Sequence, residues 1–238
     1  MLKAIRRTVI RFTLGLAVAL PAAPLVPAMV SEAAAQAGTV RYLDPETGRW
    51  KSKPASRSAS RQPARKFRRQ TVRLNTSEAP GTVIVDTRRK FLYLVQPGGK
   101  AIRYGVGVGR EGFGWNGRVK VGRKAKWPSW TPPAEMVVRE RKQGNNIPRF
   151  VKGGPGNPLG ARALYLYKGN RDTIFRIHGT NQPWTIGLNM SSGCIRMMNR
   201  DVEDLYSRVP RGTPVVVIGP DGRGAPQVFR EGRRGLFG

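Results

Sequence analysis

From Gly81 onward, glycine and proline cut the chain into short apolar runs, and this punctuation decides what it can fold into. The runs are too short for the helices of an all-α core, and they are rich in the β-branched and aromatic residues that pack on a pleated surface. Thr82-Val-Ile-Val-Asp86 and Lys90-Phe-Leu-Tyr-Leu-Val-Gln96 flank a charged turn at Thr87-Arg88-Arg89 and read as a hairpin. Pro97-Gly98-Gly99 closes the second strand, and Ala101–Gly109 supplies a third. In that strand Gly105, Gly107 and Gly109 alternate with apolar residues and no amphipathic helix follows, so they mark a Gly-rich strand rather than a phosphate-binding loop. Ala163–Tyr167, Thr173–His178 and Thr213–Gly219 complete the strands. Trp127-Pro-Ser-Trp-Thr-Pro-Pro133 cannot be a central strand, because its prolines lack backbone donors. Residues 153–160 read as a loop. Helix is confined to one or two turns over Ala134–Arg141 and a short segment to about Val209, with Asn199 as N-cap and Asp201, Glu203 and Asp204 in the opening turns. The expectation is a mainly β domain with a few short helices.

The rest of the chain is dominated by charge. Lys and Arg number 43 against 14 Asp and Glu, a formal charge of +29, which calls for an anionic neighbour. Lys3, Arg6, Arg7 and Arg11 precede an apolar run from Phe12 to Val30, and small residues follow at Ala35 and Ala37. This pattern reads as an export signal over residues 1–37. Pro21, Pro24 and Pro27 argue against a continuous membrane-spanning helix and hence against a stable anchor. The Arg6-Arg7 pair leaves both the general and the twin-arginine export routes open. Residues 38–80 hold too few apolar residues to bury a core and read as a flexible basic linker; residues 220–238 read as a basic, Gly-rich tail. Removing the signal leaves a chain of charge +26, suited to an anionic envelope surface. Nucleic acid is disfavoured as a partner, both by export and by the lack of aromatic residues interleaved with the basic linker.

Export gives weight to the one cysteine, Cys194, and the one histidine, His178. A single cysteine cannot form an internal disulfide, so an unpaired thiol outside the cytoplasm suggests intermolecular pairing, a buried structural role or catalysis. The setting Ser191-Ser-Gly-Cys-Ile-Arg196 favours catalysis. Gly193 allows a tight turn, while Ser192 and Arg196 make the surroundings polar and cationic. Such a setting stabilises a thiolate, and turn amides can hold an oxyanion. The chemistry that fits is acyl transfer, with Cys194 as nucleophile and His178 as proton carrier. With one His and one Cys, a zinc site of usual N/S composition is out of reach, and no cofactor is implied.

The pattern His178-Gly-Thr, a spacer, Ser191-Ser-Gly-Cys-Ile-Arg-Met197 and Asn199-x-Asp201 resembles the L,D-transpeptidase catalytic domain, also called the YkuD domain. The resemblance spans residues 81–219 and includes the Trp-Pro-x-Trp-Thr-Pro-Pro segment and Asn157-Pro-Leu-Gly-x-Arg162-Ala-Leu-Tyr. It implies a β-sandwich-like domain. It also implies that Cys194 attacks a peptidoglycan stem tetrapeptide between diaminopimelate and D-alanine, releases D-alanine and passes the acyl group to a stem amine as a 3–3 cross-link. By the same resemblance His178 is the base, oriented by a backbone carbonyl rather than by Asp172. Gly193, Ser192 and Arg196 support the loop or the oxyanion, Arg196 being equally compatible with a structural ion pair. Thr180, Asn181 and Trp184 line the donor groove or cover the core. Where the family often carries a second histidine before the glycine, this chain has Ser192.

Water or an envelope-protein amine as acceptor would make a carboxypeptidase or a protein-tethering enzyme. A different class, a non-enzymatic cationic envelope-binding protein with an incidental thiol, accounts for the charge alone.

Overall fold

The structure, a computed structural model, describes residues 39–43, 49–54, 62–109, 115–142, 144, 146–191 and 193–232. The expected export signal, residues 1–37, lies outside the described residues. Among the described residues no helix is long and apolar enough to cross a membrane.

In chain order the strands are β1 (Thr39–Leu43), β2 (Trp50–Pro54), β3 (Gln70–Thr76), β4 (Val83–Asp86), β5 (Phe91–Gln96), β6 (Lys100–Gly109), β7 (Gly117–Lys126), β8 (Arg162–Lys168), β9 (Arg171–His178), β10 (Asn189–Ser191), β11 (Ile195–Met197), β12 (Pro214–Ile218) and β13 (Phe229–Glu231). Among the described residues two α-helices, α1 (Ala134–Lys142) and α2 (Asn199–Arg208), interrupt them. β1 and β2 form a separate antiparallel pair, and the other strands form one sheet in the order β11-β9-β8-β7-β12-β4-β5-β6-β3-β13, with β10 off this path and parallel to the end of β6. β11 also pairs with β6, so the stretch from β11 round to β6 closes on itself. The two layers of the expected sandwich are thus one continuous sheet.

Period-two alternation explains the layering. In β4, Val83 and Val85 join the core enclosed by the ring while Ile84 joins a second core on the opposite face; in β12, Val215 and Val217 divide from Val216 and Ile218 in the same way. These strands are buried on both faces and carry no polar one, which is why they read as unbroken apolar runs. The enclosed core also takes Leu164, Leu166, Ile177, Ile195 and Met197, and is covered by Val202 and Leu205 of α2 and by Val209 at its C-terminal cap. Each such side chain contributes about 1.5–3 kcal/mol by leaving water. The glycines of β6 are spaces for neighbours: a Cβ at Gly105 would collide with the Phe67 backbone, and one at Gly107 would sit 2.7 Å from the Thr185 carbonyl oxygen.

Two boundaries expected from the sequence are corrected. The supposed linker includes a 3-10 turn at Arg65–Phe67 and β3, and the supposed tail includes β13, which pairs with β3. Few apolar residues suffice, because Phe67 and Leu74 are buried in the second core while the surrounding cations face outward or find carboxylates. Glu231 of β13 accepts from Tyr93 Oη at 2.8 Å and pairs with Arg103. The helix start is also corrected: Met198 is the N-cap of α2 and makes no side-chain cap bond, so Asn199 is free for another task.

Candidate active site

β9 delivers His178 at its last position, and β11 begins one residue after Cys194. The two strands run parallel, with Ile177 opposite Ile195 and His178 opposite Arg196. Since Ile177 and Ile195 turn into the enclosed core, alternation sends Arg176, His178 and Arg196 to the other face, and Cys194 falls level with Arg176. Gly193 has φ of 101°, a left-handed conformation that frees the chain to turn immediately before the nucleophile. Ser192 lies outside the described residues.

His178 is 4% exposed, and its Nδ1 lies 2.5 Å from the Gly179 carbonyl oxygen. A carbonyl only accepts, so Nδ1 carries the proton and Nε2 keeps its lone pair. Burial, reinforced by the charges of Arg196 and Arg176, lowers the imidazole pKa to about 3 against the partial pull of the Gly179 bond. Burial pushes the half-buried Cys194 thiol up, opposed by the Arg176 amide N–H at the sulfur and by the charges of Arg176 and Arg196. Both groups are therefore neutral at rest, an imidazole at the end of β9 and a thiol immediately before the adjacent parallel strand. Nε2 can take the thiol proton as sulfur attacks, and an imidazolium this acidic readily returns it to a leaving amine. The two arginines favour negative charge on sulfur or on a tetrahedral oxyanion.

Asp172 does not orient the histidine. Its carboxylate accepts from Arg176 at 2.7 and 3.0 Å and from the Ile174 amide. The backbone carbonyl of Gly179 holds the ring instead, and that carbonyl is itself anchored. Asn199 Oδ1 accepts from the amides of Ala161 at 3.0 Å and Thr180 at 3.1 Å, tying the loop after His178 to the loop before β8. Thr180 and Asn181 are 4% and 5% exposed: Thr180 Oγ1 accepts from the Gln182 amide, and Asn181 Nδ2 donates to the Gly156 carbonyl at 2.8 Å. Both are buried and bonded to backbone, and of the three residues expected at the groove only Trp184 reaches the surface. Arg196, 6% exposed, sits beside His178 rather than at an open subsite.

Sequence reasoning missed Trp115. Its Nε1 donates to the Gly193 carbonyl at 3.3 Å, and its ring stacks on Phe175 with centroids 4.7 Å apart. The nucleophile turn is thereby held against β9, across a sequence separation that no local pattern reveals. Arg176 was also missed, although its position two residues before His178 on a strand places it on the same face.

Residues 80–217 match the model of the YkuD family, the L,D-transpeptidase catalytic domain. The chain belongs to this family. Among curated relatives of the L,D-transpeptidase domain, the probable L,D-transpeptidase YbiS of Escherichia coli strain K12 is 37% identical over 142 residues, covering 58% of this chain and 44% of that protein. The probable L,D-transpeptidase ErfK/SrfK of the same strain is 35% identical over 139 residues, covering 57% and 43%. The chain thus spans less than half the length of these relatives. A solved structure described as a probable carnitine operon oxidoreductase from Brucella melitensis is 49% identical, covers 62% of this chain and 91% of its own, and superposes with a TM-score of 0.44.

Proposed function

We propose that this chain is an exported L,D-transpeptidase of the cell envelope. Cys194 attacks the carbonyl between diaminopimelate and terminal D-alanine of a stem tetrapeptide, D-alanine leaves with the proton held by His178, and the thioester is resolved by a stem amine as a 3–3 cross-link. The observation that carries the reading is the tautomer of His178: with Nδ1–H spent on Gly179, Nε2 is the acceptor on the face shared with Cys194. Gly193 and the turn amides support the oxyanion, Arg176 and Arg196 supply positive charge, and Trp184 borders the donor groove. The basic stretch before β3 raises local concentration at the anionic envelope, so removing residues 38–61 weakens wall association mainly at low salt.

The test is D-alanine release from purified tetrapeptide muropeptides, with analysis of the products. Wild type releases D-alanine and yields 3–3 dimers. Cys194→Ala releases none yet still binds isolated wall sacculi. Tripeptide as the sole product would assign water as acceptor, and protein-linked muropeptide would assign an envelope protein. D-Alanine release by Cys194→Ala would refute the proposal.

A further inference from the structure

The strand register continues the site away from the nucleophile. Cys194 is level with Arg176 of β9, Arg176 pairs with Tyr165 of β8, and Tyr165 pairs with Arg123 of β7, forming one row across the sheet. The guanidinium of Arg123 stands 3.9 Å from the Tyr165 ring centroid and that of Arg176 stands 4.3 Å from it, so the two cations lie within about 8 Å of each other around one buried ring. Asp172 answers Arg176. Arg123 is exposed and has no ion-pair partner among the described residues. Three other ring-stacked cations are compensated: Arg103 by Glu231, Lys124 by the Tyr206 and Val209 carbonyls, and Arg162 by Glu203; Lys66 over Phe67 lies outside the row that runs from Cys194. A stacked guanidinium loses little freedom on binding and presents a fork that matches a carboxylate.

We propose that Arg123 and Arg176, braced on Tyr165, form a subsite for the second, free carboxylate of the donor's diaminopimelate residue; the inference rests on the stem-peptide reading above. Diaminopimelate is a diacid. One carboxyl is consumed in the scissile amide, and the other sits at the far end of a seven-carbon chain, roughly 7–8 Å away when extended. Adjacent strands are about 4.8 Å apart, so the Tyr165 position lies two strand spacings, roughly 10 Å, from the Cys194 backbone. With the scissile carbonyl at the sulfur, the distal carboxylate reaches the guanidiniums over Tyr165. An acyl donor with a neutral third residue would leave Arg123 facing nothing.

The experiment compares two synthetic tetrapeptide donors, one with the distal diaminopimelate carboxylate free and one with it amidated. Acylation of Cys194 and D-alanine release are measured for the full chain, for Arg123→Ala and for Arg123→Gln. In wild type, amidation raises KM at least about tenfold with kcat little changed, the loss expected for one charge-assisted contact. Both variants show the same rise with the carboxylate donor and no further rise with the amidated donor, the non-additivity of a single contact. Iodoacetamide alkylation of Cys194 is unchanged, because Arg123 is not among the charges acting on the thiol. Equal KM for the two donors in wild type, or equal losses on both donors in the variants, overturns the subsite. Failure of wild type to be acylated by either donor overturns the transpeptidase reading itself.

Discussion

Replacing Asn199 by alanine tests whether the base is held by the loop it ends in. The side-chain oxygen accepts two backbone amides, Ala161 at 3.0 Å and Thr180 at 3.1 Å, and both lie next to Gly179, whose carbonyl fixes His178. Each bond is worth about 1 kcal/mol net, and an amide left without a partner in a buried place costs about 1–3 kcal/mol. Asn199 is half-buried, so water relieves part of the loss, and Asn199→Ala should destabilise the fold by roughly 2–3 kcal/mol. Asn199→Asp keeps the oxygen and places negative charge in the first turn of α2, where the helix dipole favours it, so it should stay within about 1 kcal/mol of wild type. Urea unfolding at pH 7 measures the stability, and the rate of Cys194 acylation measures the site. We expect Asn199→Ala to slow acylation while still folded and Asn199→Asp to restore it. Two outcomes would refute the reasoning: an alanine variant within about 0.5 kcal/mol of wild type, or an aspartate variant as impaired as the alanine one.

His178 makes the fold acid-sensitive in a defined window. Its pKa is about 3 in the fold against 6.5 in the open chain, so as pH falls from 6.5 toward 3 the unfolded state takes up a proton that the fold refuses. Stability is lost at up to about 1.4 kcal/mol per pH unit from this group alone. Urea titrations at several pH values should show a shallower decline for His178→Gln over that interval, and parallel declines would contradict the buried neutral imidazole. Cys194 acts at the other end: its raised pKa gives stability present below the ordinary thiol value of 9.0 and lost as pH rises above it, so Cys194→Ser should resist alkaline unfolding better than wild type. Trp115→Phe retains the stack on Phe175 but loses the bond to the Gly193 carbonyl, an expected cost of about 0.5–1.5 kcal/mol, whereas Trp115→Ala loses both and should cost more. Equal unfolding midpoints for the two variants would remove the tryptophan from the account.

Strands β4, β5, β6, β8, β9 and β12 were legible because each carries a run of β-branched or aromatic residues facing one or both cores. β7 was not. Its sequence Gly-Arg-Val-Lys-Val-Gly-Arg-Lys-Ala-Lys exposes a basic face, turns only Val119 and Val121 inward, and shifts register between Val121 and Arg123, which breaks the alternation. β3 hid in the same way among cations, and β10, β11 and β13 are too short to show a period. At the site, the types and spacing of His178, Gly193 and Cys194 announced themselves. Asn199 looked like a helix cap because asparagine favours that place. That it instead joins two distant loops depends on tertiary contacts, as does the bond from Trp115 to Gly193. The arginine row is likewise visible only once register sets Arg123 beside Tyr165 and Tyr165 beside Arg176.

The central claim, that Cys194 carries the acyl group, is tested most directly by intact mass measurement after incubation with a stem tetrapeptide at neutral pH. The predicted result is a mass increase equal to the donor minus D-alanine, located on Cys194, slowed in His178→Gln and absent in Cys194→Ala. An adduct that persists in Cys194→Ala, or release of D-alanine by a Cys194→Ala chain that is never acylated, would contradict it.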